Sequence, residues 1–370
     1  MRHRPAVGRA QPQIVQLLLA RRHRRIPFRS AMPAAFRSLV MLVLTLGFLG
    51  AAAGGAQALS LMDPFNVPAA MDGGTAKVGD GIPFADGARF KLDVYAPEER
   101  GDVAPVVFFI YGGGWKNGAR EDYQFVGRAL AARGFIVVIP DYRLYPEVRF
   151  PDFLEDNAAA MRWVQDNIAK YGGDPNRVFM AGHSAGAYNA VMLALDPSYF
   201  KEYGVTIPIR GVAALSGPYD FYPFEYDEVR NTFGDAPVPE GTQPINLVTS
   251  DAPPMLLTSG TTDPIVRVQN TENLAARLRS QGVWVTTKYY DGFGHMEPVI
   301  AIGAMWRWRM PILDDMVEFF TRFGAFPSGV PRLAVVPAPP EGVLPNGEPM
   351  EPMHAIIDQL DTQFAPISSQ

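Results

Sequence analysis

The chain has 370 residues, 48% of them hydrophobic, which is enough apolar material for one large domain or two small ones. It has no cysteine, which excludes disulfides, thiolate metal sites, cysteine nucleophiles and cysteine-linked lipid anchors. Residues 1–58 hold nine of the 33 Lys and Arg residues and no Asp or Glu, so the remainder carries a net charge of about −14. Such an acidic body argues against a nucleic-acid partner, although an N-terminal arm remains the alternative reading of the arginines.

The first 58 residues predict an export signal. The apolar stretch Leu39–Leu49 follows the arginines and precedes Ala56-Gln57-Ala58, which is the order of regions in a secretory signal. We therefore expect cleavage after Ala58 and a periplasmic or secreted protein, with Met32 as an alternative start. Residues 38–62 carry no charge, so an uncleaved membrane anchor is the alternative, and a membrane contact is expected only in that case.

Strand and helix patterns alternate after the leader. Apolar or alternating runs predict strands at Phe90–Tyr95, Val106–Tyr111, Phe135–Ile139, Val178–Ala181, Val212–Leu215, Met255–Thr258 and Val283–Tyr289. Helical patterns cover Tyr123–Arg133, Asp152–Tyr171, Ala187–Leu195, Val268–Ser280 and Leu313–Phe323. The alternation predicts an α/β fold with a mostly parallel central sheet and helices on both faces. Functional sites of such sheets lie at the carboxyl ends of the strands.

Composition divides the chain into three parts. The leader covers residues 1–58, and the α/β domain is expected over residues 59–326. Residues 327–370 contain nine prolines and few apolar runs, which predicts an extended or disordered tail.

The segment Gly182-His183-Ser184-Ala185-Gly186 follows a predicted strand and precedes a helix. This is the Gly-x-Ser-x-Gly pattern of a nucleophile elbow. The turn is so tight that the residues two before and two after the serine must lack bulk. The turn exposes the serine Oγ at the carboxyl edge of the sheet. We therefore predict Ser184 as a nucleophile, with the side chain of the adjacent histidine pointing elsewhere.

A serine nucleophile needs a base, and the base needs a carboxylate. Of the five histidines, His295 lies in a glycine-rich loop directly after a predicted strand. Asp263 follows the preceding strand and is the predicted acid; Asp291 is too close to the histidine along the loop, and Asp251 comes before its strand. The order Ser184, Asp263, His295 is that of α/β-hydrolases.

The oxyanion of such a reaction needs preorganised N–H donors. Gly112-Gly113-Gly114 follows a buried strand and lets the backbone bend towards a substrate, and Ala185 N–H adds a donor beside the nucleophile. A phosphate-binding loop is not favoured, because neither GxxxxGK[ST] nor a GxGxxG opening is present.

Five aromatic residues crowd the segment Tyr219–Tyr226, which emerges after a predicted strand on the edge that carries Ser184. Aromatic side chains suit a pocket wall, so Tyr219, Phe221 and Phe224 are predicted to line the substrate pocket, with Trp115 as the facing wall. The alternative is that these rings only pack an inserted loop against the body.

Together these motifs resemble the α/β-hydrolase fold esterases, in particular the hormone-sensitive-lipase-like and kynurenine-formamidase-like branches. The likeness runs from Phe90 to Phe323 and includes Asp141-Tyr-Arg-Leu-Tyr-Pro-Glu147. It implies that Gly113, Gly114 and Ala185 are the oxyanion donors. One departure is Tyr111, which stands where these families usually begin the glycine motif with His.

These observations predict an exported serine hydrolase that cleaves small carboxylic esters through an acyl-enzyme, with no metal or cofactor. An amidase or arylformamidase on the same three residues is the nearest alternative. A second alternative is a catalytically silent binding protein with the hydrolase fold. The presence of a predicted nucleophile, base and acid together argues against it. The expected partner is a small-molecule ester.

Overall fold

The computed structural model describes residues 62–99, 101 and 103–324. The predicted export signal and proline-rich tail lie outside the described residues. No helix within the described part of the chain combines the length and apolar character that a membrane span requires.

The described residues form one eight-stranded sheet. Its strands are β1 (Thr75–Pro83), β2 (Lys91–Pro97), β3 (Ala104–Ile110), β4 (Ile136–Pro140), β5 (Gly173–His183), β6 (Ile209–Leu215), β7 (Met255–Gly260) and β8 (Val285–Tyr290). The spatial order is β1-β2-β4-β3-β5-β6-β7-β8. Pairing is antiparallel from β1 to β4 and parallel from β4 through β8. The predicted α/β class with a mostly parallel sheet is therefore confirmed.

Helices connect and cover the strands. They are α1 (Asp63–Asn66), α2 (Gln124–Ala131), α3 (Asp152–Asn167), α4 (Ala185–Leu195), α5 (Ser198–Glu202), α6 (Asp227–Phe233), α7 (Gln269–Ser280), α8 (Glu297–Ile300) and α9 (Ile312–Phe323). Short 3₁₀ turns occupy Val67–Met71, Arg120–Tyr123, Ile168–Tyr171, Pro239–Thr242 and Pro244–Leu247.

The core strands are buried on both faces. All five residues of β4 and all six of β7 are buried, and β3 is buried from its second residue onward. Such continuous apolar runs are expected where helices cover both faces of a parallel sheet. Because β3 and β5 to β8 run in parallel, their carboxyl ends meet at one edge, where all the predicted site residues lie.

The segment between β6 and β7, residues 216–254, is long and contains α6. Phe233 at the end of α6 is fully buried, with its ring centroid 4.8 Å from that of Trp115 and 5.4 Å from that of Tyr188. This ring anchors the segment over the carboxyl edge of the sheet, so that the segment forms one wall of a cleft above Ser184.

Candidate active site

The turn after β5 has the geometry of a nucleophile elbow. Ser184 adopts φ 54° and ψ −123°, a conformation that L-residues rarely adopt, and its N–H donates to the carbonyl of Leu215 at 2.8 Å. A Cβ at Gly182 would lie 2.4 Å from Gly186 O, and one at Gly186 would lie 2.0 Å from the carbonyl oxygen of Ile110. Both glycines are therefore required by close backbone approach, as the sequence pattern predicts.

The structure brings Ser184, His295 and Asp263 together in one hydrogen-bonded chain. Ser184 Oγ lies 2.9 Å from His295 Nε2, and His295 Nδ1 lies 2.8 Å from Asp263 Oδ2. All three side chains are buried, with Ser184 the most exposed at 9%. The arrangement places an imidazole where it can take the serine proton while a carboxylate fixes its tautomer.

Backbone donors hold the carboxylate of Asp263. Its Oδ1 accepts hydrogen bonds from the N–H groups of Ile265 and Val266, at 2.9 and 2.8 Å, which leaves Oδ2 to face His295. The two rival carboxylates are elsewhere: Asp291 is exposed and accepts a hydrogen bond from Thr261 Oγ1, and Asp251 is also exposed.

The three residues predicted as oxyanion donors lie beside the nucleophile. Gly113, Gly114 and Ala185 line the same cleft as Ser184. Gly113 has a φ of 132°, and a Cβ there would lie 2.1 Å from the Asn117 carbonyl oxygen, so the loop depends on glycine at this position. Ala185 begins α4, where backbone N–H groups lack an intrahelical acceptor and the helix dipole favours negative charge.

Tyr111 occupies the position where the resembled families carry His, and it anchors the glycine loop. Its hydroxyl donates to Asp141 Oδ1 at 2.9 Å and accepts from Arg89 Nη2 at 2.8 Å. The same Nη2 donates to the carbonyl of Gly118 at 2.7 Å, and Tyr142 Oη donates to the Tyr111 carbonyl. Burial raises the pKa of Tyr111, so its hydroxyl stays protonated as a donor. Both ends of the loop are therefore fixed.

The cleft above Ser184 has a volume of about 430 Å³, within the range of small-molecule sites. Of the four predicted pocket residues, Trp115 and Phe221 line it. Trp115 is 5% exposed and its Nε1 donates to Asn189 Oδ1 at 3.0 Å, which fixes the indole ring.

The other two predicted pocket residues, Tyr219 and Phe224, are not among the residues that line the cleft. Tyr219 is fully buried beneath the segment, because its ring packs against Gly217, where a Cβ would lie 2.4 Å from Tyr219 Oη. Phe224 is half-buried and does not line the cleft; its ring centroid lies 5.9 Å from those of Phe221 and Phe233.

Other lining residues escaped the sequence reasoning. Several lie within three residues of a predicted catalytic residue along the chain, and this proximity is the signal that would have found them: His183, Ile265, Val266 and Met296. The mouth also carries charged side chains, namely Asp220, Glu225, Glu228 and Arg267. Among the described residues no group of three or more acidic or histidine side chains could hold a metal ion.

His183 is fully buried and neutral. Its pKa is lowered from the ordinary value of 6.5 to about 3. Burial is the main cause and the neighbouring His295 adds to it, against smaller opposing effects of the hydrogen bond to the His295 carbonyl and of Asp263. Above pH 6.5 the ring is neutral in both the folded and the unfolded chain. Below that value only the unfolded chain binds the proton, so stability is lost as the pH falls towards 3.

We expect this group to lower the free energy of unfolding by up to about 1.4 kcal/mol per pH unit below pH 6.5. Replacing His183 by Gln removes the titration, so the variant should lose less stability than the wild type between pH 6.5 and 4. Urea unfolding at several pH values measures both slopes. Equal slopes would show that His183 is not held neutral.

Comparison with known proteins places the chain in a family. The BD-FAE family model matches residues 92–278, half of the chain. The chain belongs to the BD-FAE family. It is 32% identical to Esterase LipQ of Mycobacterium tuberculosis (strain ATCC 25618 / H37Rv) over 234 residues, which cover 57% of this chain and 54% of that protein. It is also 38% identical over 130 residues to a probable isoprenylcysteine alpha-carbonyl methylesterase of Oryza sativa subsp. japonica. That match covers 35% of this chain and 30% of that protein.

The matched part of this BD-FAE chain spans only about a third to a half of the length of such relatives. The matches to solved structures cover a larger share of this chain. Esterase B from Lactobacillus rhamnosis matches with a TM-score of 0.61 over 78% of this chain and 96% of that one; at 20% identity it shows the fold alone. A thermostable esterase from Pseudomonas putida ECU1011 matches with a TM-score of 0.56 at 25% identity. That match covers 79% of this chain and 97% of that one. The resemblance to α/β-hydrolase fold esterases is confirmed.

Proposed function

We propose that this chain is a serine hydrolase that cleaves small carboxylic esters through an acyl-enzyme intermediate. One observation carries the proposal: the hydrogen-bonded chain from Ser184 Oγ through His295 to Asp263, with links of 2.9 and 2.8 Å, opens onto a cleft of small-molecule size. Membership of a family whose relatives are named esterases supports an ester as the substrate class.

In acylation, Ser184 Oγ attacks the ester carbonyl carbon while His295 Nε2 accepts the hydroxyl proton. Asp263 keeps the proton of the imidazole on Nδ1 and stabilises the imidazolium that forms. The carbonyl oxygen becomes negatively charged and accepts hydrogen bonds from backbone N–H groups of Gly113, Gly114 and Ala185. His295 then gives its proton to the leaving oxygen, which departs as an alcohol and leaves the acyl group on Ser184.

Deacylation repeats the sequence with water as the nucleophile. His295 takes a proton from water, the resulting hydroxide attacks the acyl carbonyl, and Ser184 Oγ leaves with the proton returned by His295. The products are a carboxylic acid and the free serine. Each proton thus passes through one imidazole nitrogen, which is why the 2.9 Å contact between Ser184 and His295 matters most.

A substrate panel tests the proposal. It contains p-nitrophenyl esters of increasing acyl length, an aryl formamide and a peptide amide. We expect the short esters to be hydrolysed with the highest kcat/KM. Faster turnover of the formamide or peptide would assign an arylformamidase or amidase instead, and turnover of none would leave a binding protein.

Phe221 is expected to set the acyl-chain preference, because its ring lines the cleft beside Trp115. Phe221→Ala should raise the ratio of kcat/KM for hexanoate over acetate esters by about 10-fold, since it opens space for added methylenes. Phe224→Ala is the matched control, because it removes the same ring from a residue that does not line the cleft. It should lower the Tm and keep the ratio. A ratio unchanged in Phe221→Ala would contradict the assignment.

We also propose that the protein is exported and cut after Ala58. The support is the acid-free arginine-rich leader, the apolar stretch Leu39–Leu49 and Ala56-Gln57-Ala58. N-terminal sequencing of protein from the native host should begin at Leu59. Protein that retains the leader in the membrane or cytoplasmic fraction would refute this.

A further inference from the structure

The residue before the nucleophile, His183, is turned towards the loop that carries His295. Its Nε2 lies 2.9 Å from the His295 carbonyl oxygen, and the two ring centroids are 4.9 Å apart. A carbonyl oxygen only accepts hydrogen bonds, so Nε2 must carry the proton and donate. The contact therefore joins the nucleophile turn directly to the main chain of the base.

The opposite side of the His183 ring faces the glycine loop. A Cβ at Gly112 would lie 3.0 Å from His183 Nδ1 and 3.0 Å from Ser184 Cβ, so the ring fills the space that this glycine leaves open. Nδ1 has no hydrogen-bond partner among the described residues. The donor at Nε2 is thus the polar contact that orients the ring.

Other hydrogen bonds hold the residues just before His295, but they do not reach its carbonyl. The earlier part of the loop that carries His295 is held from the end of β7, where Thr262 N–H and Oγ1 both donate to the Phe293 carbonyl at 3.0 Å. The next residue, Gly294, donates its N–H to Glu297 Oε2 at 3.0 Å. Within the described part of the chain, the His295 carbonyl accepts from His183 and from no other group.

We propose that His183 is a positioning residue for proton transfer: as a neutral donor, it holds the His295 main chain at the distance that lets His295 reach Ser184. The proposal rests on the esterase function proposed above. His183 stays uncharged when His295 becomes an imidazolium, because burial and that neighbour both oppose a second positive charge. Asp263 is the anionic group beside this pair, and it faces Nδ1 of His295.

Two amides of different length separate the positioning role from a packing role. The Gln side-chain nitrogen lies as many bonds from Cα as His Nε2, whereas the Asn nitrogen lies as many bonds away as Nδ1. His183→Gln therefore keeps a donor within reach of the His295 carbonyl, and His183→Asn does not. His183→Leu removes the donor and keeps an apolar side chain of moderate size.

The experiment measures kcat and KM of the three variants with a short p-nitrophenyl ester, together with their Tm. We expect His183→Gln to keep kcat within about threefold of the wild type. His183→Asn and His183→Leu should lower kcat by about 100-fold, since a small misplacement of a reacting group has that effect, with KM nearly unchanged. If His183→Leu fails to fold, the Gln and Asn variants still separate a positioning role from a packing role, because their side chains match in polarity.

Equal kcat for the Gln and Asn variants would overturn the positioning role, as would losses confined to KM or to the folded fraction. These outcomes differ from failure of the esterase proposal itself. In that case the wild type would hydrolyse no member of the ester panel, and a fluorophosphonate would leave Ser184 unlabelled.

Discussion

Ser184→Ala is expected to lower kcat for a short p-nitrophenyl ester by on the order of 10⁶-fold, because the nucleophile and its base act as a unit and loss of either removes nearly the whole effect. The residual rate would come from the oxyanion donors and substrate binding alone. Alanine lacks only the Oγ, so the strained turn between the two close-packed glycines loses no other contact.

The Tm of this variant should therefore stay close to that of the wild type. Steady-state assays with the same ester measure the loss of kcat, and thermal unfolding provides the control. Retention of more than a few per cent of the wild-type kcat would show that another residue is the nucleophile.

Asp263→Asn is expected to lower kcat by about 10⁴-fold while the fold is kept. The amide nitrogen of Asn donates a hydrogen bond to Nδ1, which places the imidazole proton on Nε2. That nitrogen must accept the proton of Ser184, so the base is in the wrong tautomer. The 2.8 Å contact between Asp263 Oδ2 and His295 Nδ1 makes this effect direct.

Asp291→Asn is the matched control, because it makes the same chemical change in the loop that carries His295. Asp291 is exposed and accepts a hydrogen bond from Thr261 Oγ1, so its replacement should leave kcat within a few-fold of the wild type. A larger loss for Asp291→Asn than for Asp263→Asn would show that the acid has been misassigned.

The buried strands could be predicted because their apolar runs have a single physical meaning. The run Met255–Thr258 predicts β7 to within two residues, and Phe135–Ile139 predicts β4 to within one. In contrast, the sequence pattern does not predict β1, because its residues are mostly half-buried and two glycines interrupt the pattern. The pattern does not predict the helix α6 either, since Thr232 and Phe233 are its only buried residues.

The order of Ser184, Asp263 and His295 could be read from the sequence because each follows a strand whose carboxyl end lies at one edge. The directions in which the side chains point could not be read from the sequence. Five aromatic residues in eight indicate a wall, but only the folded segment decides that Phe221 faces the cleft while Tyr219 is buried beneath it. The direction of His183 likewise depends on the unusual dihedrals of the turn, which residue types alone do not specify.

The mass of the protein after reaction with a fluorophosphonate tests the central claim most directly. The phosphorus centre accepts only an activated nucleophile, and the adduct mimics the tetrahedral intermediate of acyl transfer. We predict one adduct per chain, mapped by peptide sequencing to Ser184 and absent from Ser184→Ala. An adduct on another residue, or an unmodified wild-type protein that still hydrolyses esters, would contradict the account.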